Sequence, residues 1–147
     1  MVAFLGSDIE WVVLFALFGE AAVLAALLVG YVLARRHMGK RHHSLMLGAF
    51  VVDEAVFKPL MTFRALDVWG GFPWPGTAVV AHLVANSAAV TLAVAAIALG
   101  FRHRIERDGR MLMPPQGRLH RWLGRAFLAA WTVTFVIGVS IFVEAYY

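Results

Sequence analysis

The chain has no cysteine anywhere in its 147 residues. Thiolate metal sites, thioether-linked haem and disulfides are therefore excluded. Charge is scarce as well: Asp, Glu, Lys and Arg make up 15%, against 61% hydrophobic residues and a mean hydropathy of +0.76. A chain this short has too much surface to hide so many apolar residues from water. Lipid is the expected solvent, and residues 1–147 are expected to form a single transmembrane domain. Basic residues are missing from the first ten positions, which hold Asp8 and Glu10. A signal peptide needs a basic start, so the first apolar segment reads as a retained helix. Hydrolytic triads, phosphate loops and paired zinc-ligand motifs are also missing, so an activity of its own is not expected, although the enzyme question stays open.

Four apolar stretches are present, each about 20 residues or longer, the length that crosses roughly 30 Å of hydrocarbon. They run over about residues 11–33, 44–66, 77–101 and 122–145. The second is the least apolar and contains Asp53, Glu54, Lys58 and Arg64, with Pro59 expected to kink it. Short connections favour sequential antiparallel neighbours, so the predicted fold is an all-α, antiparallel four-helix transmembrane bundle. The Gly and Pro residues of Gly70–Gly76 predict a turn, and Pro114-Pro115 breaks the third connection.

Eleven of the thirteen basic residues fall in or beside two connections, RRHMGKRHH and the segment around Arg102–Arg125, while DVWGGFPWPGT has none. The positive-inside rule then places the first and third connections in the cytoplasm and both termini outside it. Trp11, Trp69, Trp74, Tyr146 and Tyr147 fall at the expected outer interface, with Trp122 and Tyr31 at the inner one. This bias explains the pI near 10.1 without nucleic acid.

Ionisable residues inside a span are costly and normally face partners in the bundle interior. One set lies toward the outer side: Glu20, Glu54, Lys58 and His82, with Asp53 and Asn86 deeper. Glu54 and Lys58 stand four apart, the spacing of a helical ion pair. The set reads either as that pair with a hydrogen-bonded interior histidine, or as a polar pocket open toward the outside for a metal, a proton path or a polar ligand group, with His82, Glu20 and Glu54 as the metal-binding candidates. A second set, His37, His42, His43, His103 and His120, sits at the cytoplasmic ends. His37, His42 and His103 are embedded in basic sequence and read as solvated. At 100° per residue His43 shares a face with Phe50, Glu54 and Lys58, and His120 shares one with Phe127, Trp131, Thr134 and Gly138. Two imidazoles at similar depth on different helices are what a bis-histidine haem or a copper site requires. Met111 and Met113 offer thioethers to Cu(I), or simply apolar contact with the membrane. The third span carries a small-residue face, Ala85, Ala89, Ala93, Ala96 and Gly100, suited to close helix packing.

The pattern His120-Arg121-x3-Arg125-x5-Trp131-x6-Gly138, with HHSLMLGAFVVDEAVF and VVAHLVANSAAVTLAV, resembles the YozB/CtaM-like family of small bacterial four-span membrane proteins. His43 with Met46, His82, and His120 with Arg125, Trp131 and Gly138 carry the resemblance, which covers roughly residues 41–147. Ala130 and Ile137 replace a Pro and a Thr that the family favours, and the run Asp53, Glu54, Lys58 is not a family feature. The family is catalogued as a domain of unknown function and linked to haem-copper oxidases. The resemblance implies an assembly factor or accessory subunit of such a respiratory complex in the bacterial cytoplasmic membrane, with membrane subunits as partners. Haem b or copper would be the cofactor, held by His43, His120 and His82. A b-type cytochrome passing electrons to a quinone or partner complex, and a purely structural subunit, are the alternatives.

Overall fold

In a computed structural model, which describes residues 7–68, 76–103, 105–107, 110–112 and 117–146, the chain is all-α and forms four helical rods. The expected turn at residues 70–75, the Pro114-Pro115 break, Trp69, Trp74, Met113 and Tyr147 lie outside the described residues. The first rod is α1 (Ser7–Arg35). The second is continuous through α2 (Gly39–Val52), a π-helical turn (Asp53–Phe57) and α3 (Lys58–Val68). The third and fourth are α4 (Thr77–His103) and α5 (Arg118–Tyr146). Between the last two, β1 (Ile105–Arg107) pairs antiparallel with β2 (Arg110–Leu112), a short hairpin where the sequence predicts only a loop. Met111 pairs with Glu106 in it through the backbone.

Three rods contain helices long and apolar enough to cross a membrane: Trp11–Arg35, Thr77–His103 and Arg118–Glu144, of 25, 27 and 27 residues. The chain is a multi-pass membrane protein. In hydrocarbon every backbone group must be satisfied within the helix, and the hydroxyls follow the same rule. Ser87, Thr91, Thr132, Thr134 and Ser140 each donate to the carbonyl four residues back. The outward faces carry large apolar side chains, among them Phe15, Phe18, Leu83, Val84, Val133 and Val136, all exposed.

The rods pack through small residues. In α4, Ala89, Ala93, Ala96 and Gly100 are buried along one face, the stripe expected from sequence. The core joins Ala89 and Ala93 to Val23 and Leu27 of α1, Ala49 and Phe57 of the second rod, and Phe127 and Trp131 of α5. Gly19 lies against Phe57, so closely that a Cβ there would stand 2.1 Å from the ring, and Gly30 faces Met46. These two contacts run α1 and the second rod in opposite directions.

The helices begin earlier than hydropathy predicts. α2 starts at Gly39 and α5 at Arg118, so His42 is helical rather than in a loop, and His43 and His120 lie on helices as their projected faces require. The first connection shrinks to a tight reversal. His37 takes φ 59°, its N–H bonds the Ala34 carbonyl, and the Met38 N–H bonds the Leu33 carbonyl. That is a Schellman close, with histidine where glycine is commonest. At Pro59 the expected disturbance is the π turn just before it. Proline has no N–H and its ring crowds the carbonyl four residues earlier. The turn widens to take this up, and the Lys58 N–H bonds the Asp53 carbonyl five residues back.

Candidate functional site

Two polar groups sit in this apolar frame. The first is at the end of the molecule where α1 closes and α2 and α5 begin. His42, His43 and His120 gather there: ring centres are 5.1 Å apart for His42–His43, 5.9 Å for His43–His120 and 6.4 Å for His42–His120. His43 also stacks on Phe101 of α4 at 6.5 Å. Gly100 makes the gathering possible. A Cβ at this position would lie 3.0 Å from His120 Cε1 and 3.1 Å from His43 Cε1, so any side chain would press on both rings.

Two of the three rings are oriented by backbone. His42 Nδ1 stands 2.8 Å from the Gly30 carbonyl, and His120 Nδ1 stands 2.7 Å from the Ala96 carbonyl. A carbonyl only accepts, so each Nδ1 carries the proton and the lone pair is left on Nε2. That tautomer, fixed by a backbone oxygen, is the arrangement metal-ligating histidines usually have. Burial holds the His42 imidazole below the usual histidine range; the Gly30 carbonyl opposes this and the neighbouring His120 adds to it. Neutral imidazole is the ligating form.

The rings line a cavity of about 570 Å³, within the ordinary range for cofactor pockets. Its walls are apolar at Met46, Phe50, Ile97, Phe127 and Leu128, and its lining includes Arg35, Lys40, Arg121 and Arg125. A flat, apolar group with anionic substituents fits that distribution. Two imidazoles sharing one ion at bonds of ~2.0 Å have ring centres about 6 Å apart, close to the His43–His120 spacing. Among the described residues, no three His, Asp or Glu side chains are placed to hold a metal ion together. The donor set therefore suits two-histidine ligation, as of a haem, better than a three-ligand metal site.

The second group is at mid-bundle. Asp53 is only 1% exposed. Its Oδ2 accepts from Trp131 Nε1–H at 3.2 Å and lies 3.1 Å from Lys58 Nζ. Lys58 also pairs with Glu54, as the spacing predicts. Glu20 reaches the Asp53 carboxyl from α1. His82 stands apart from the other histidines: its Nδ1–H donates to the Thr134 carbonyl at 3.1 Å and its ring packs beside Gly138. Lys58 is the charged group within electrostatic reach of it. Glu54 and Asp53 thus meet at Lys58, with Glu20 beside Asp53, while His82 bonds α5 and His43 and His120 meet elsewhere.

His42, read as solvated, and Asp53, read only as a deeper member of the polar set, take larger parts than the sequence predicts. His42 belongs to the histidine cluster, because the second rod is flanked by α1 as well as by α4 and α5, and a single inward face cannot describe it. Asp53 is the most buried charge. On a regular helix it would be about 140° from Lys58, whereas the π turn brings it round beneath that residue, with Oδ2 3.1 Å from Nζ. Pro59 was the available signal for both the turn and the shift.

Fold and site together define an all-helical, multi-pass membrane protein with a histidine-lined cavity at one end and a buried charge cluster in the middle. No protein-family model, curated protein or solved structure matches the chain.

Proposed function

We propose that the chain is a membrane-embedded assembly factor or accessory subunit of a respiratory complex of the haem-copper oxidase type, and that it binds haem or copper through His43 and His120. In this reading the second rod is a fourth span. Both termini lie outside the cytoplasm of a bacterial cell, and the histidine cavity opens at the cytoplasmic face. Other membrane subunits and lipid are the partners, and no nucleic acid is involved. The observation that carries it is the His43–His120 approach at 5.9 Å over Gly100, in a cavity with apolar walls and basic residues in its lining. When bound, a haem would supply reversible one-electron chemistry. The protein's part is to orient the rings through the Gly30 and Ala96 carbonyls and to keep water from the apolar walls. Arg35, Arg121 and Arg125 would receive anionic substituents.

The same arrangement favours a second reading, a b-type cytochrome that passes electrons to a quinone or partner. Metal analysis and an absorption spectrum on protein purified in mild detergent, with haem supplied during expression, test both. A Soret band lost in His43→Ala and in His120→Ala supports ligation by this pair; a retained, rapidly reduced haem favours the cytochrome, and a weakly held one favours transfer. Colourless, copper-free protein that co-purifies stoichiometrically with membrane subunits rejects ligation and leaves a structural subunit.

A further inference from the structure

The mid-bundle cluster does not close electrostatically as a set of ordinary ions. Glu20, Asp53 and Glu54 bring three carboxyls near one another, and Lys58 is the one ammonium among the described residues that faces them. The other elements packed there contribute His82 from α4 and the uncharged Trp131 and Thr134 from α5. Fully ionised carboxyls would leave a surplus negative charge in a region where unpaired charge is very costly. Lys58 meets Glu54 and Asp53 Oδ2, and Trp131 donates to the same Oδ2. What remains is a surplus of two negative charges, one on Glu20 and one shared between Asp53 and the part-exposed Glu54, and one buried acceptor. Asp53 Oδ1 has no hydrogen-bond partner among the described residues.

A single proton on Glu20 removes one of those charges and gives the buried acceptor a donor, leaving the other charge on the side where Glu54 is 31% exposed. We propose that Glu20 and Asp53 form a proton-binding site inside the membrane, in which the Glu20 carboxylic acid donates to Asp53 Oδ1 and Lys58 is the fixed counter-ion. Uptake places one proton on Glu20. Release returns it to water and leaves three carboxylates, Glu20, Asp53 and Glu54, facing Lys58. The π turn is what brings Asp53 under Lys58 and toward Glu20, and such turns are frequent at functional positions. A bound metal cation would require convergent ligands, and no three His, Asp or Glu side chains among the described residues are placed to supply them. The proposal does not rest on the histidine cavity and stands or falls apart from it.

Infrared difference spectra of the full chain in lipid nanodiscs, between about pH 6 and about pH 10, read the carboxyl directly, since the range spans the expected titration of a buried acid. The expected result is a protonated-carboxyl C=O band that is lost on alkalinisation, missing in Glu20→Gln and retained in Glu54→Gln. The Gln amide still donates to Asp53, so the Glu20 variant should keep its fold, checked by circular dichroism. Absence of the band in the unaltered chain, or its persistence in Glu20→Gln, overturns the proposal. Loss of the band at constant pH when sodium chloride replaces potassium chloride also overturns it, in favour of a cation site.

Discussion

Lys58 is the residue on which the interior charges depend. It lies 3.1 Å from Asp53 Oδ2 and pairs with Glu54. Removing one member of a buried pair leaves its partner uncompensated, at a cost of about 3–5 kcal/mol. Lys58→Met should destabilise the protein by that order in a denaturant titration in detergent. Adding Asp53→Asn should recover part of the loss, because the orphaned charge is removed while Trp131 keeps an acceptor; equal losses in the single and double variants would contradict the pairing. At this scale the sequence reading reached the Glu54–Lys58 pair from its spacing alone. It could not reach Asp53–Trp131, which joins positions 78 apart in sequence and exists only through packing.

The second rod shows the same limit at the level of the element. Its charges and Pro59 were visible as a departure from the apolar pattern, yet hydropathy could not say how the helix absorbs the proline. The answer is a π turn over Asp53–Phe57. By propensity alone, Pro59→Ala should gain about 3 kcal/mol in a helix interior. Here the gain should be under about 1 kcal/mol, because a chain freed to close the π turn would rotate Asp53 away from Lys58 and Phe57 out of its seat on Gly19. A full propensity gain, measured in the same titration, would mean that the turn holds nothing in place. Helix ends were the other weak point. Hydropathy leaves His42 in the basic connection because charge lowers it there, but helices in lipid continue past the apolar stretch as long as their end groups are satisfied. The Schellman bonds at His37 and Met38 do this for α1.

For the whole molecule, the proposed orientation makes a prediction that the cysteine-free sequence renders simple to test. Lys40→Cys should resist a membrane-impermeant maleimide in intact cells and react after permeabilisation, whereas Thr77→Cys should react from outside. The reverse pattern would invert the topology and carry the histidine cavity to the other face. The two polar groups are then vertically separated: His43 and Asp53 are ten residues apart on one rod, about 15 Å at the helical rise.

Length and hydropathy alone determined that this chain is a membrane protein built of helices, because a span of hydrocarbon admits few backbone solutions and three of the spans are long and uninterrupted. The alanine stripe of α4 was legible too, since helical periodicity maps sequence onto a face. Only the tertiary structure decided which polar residues meet. Helix ends bring His43 and His120 around Gly100 with His42 beside them, and a one-residue widening of the second rod sets Asp53 beneath Lys58 and against Trp131. Periodicity fixes the direction of a side chain around its own axis. It says nothing of the rotation and height of the neighbouring helix, and those two quantities place one histidine or carboxylate against another.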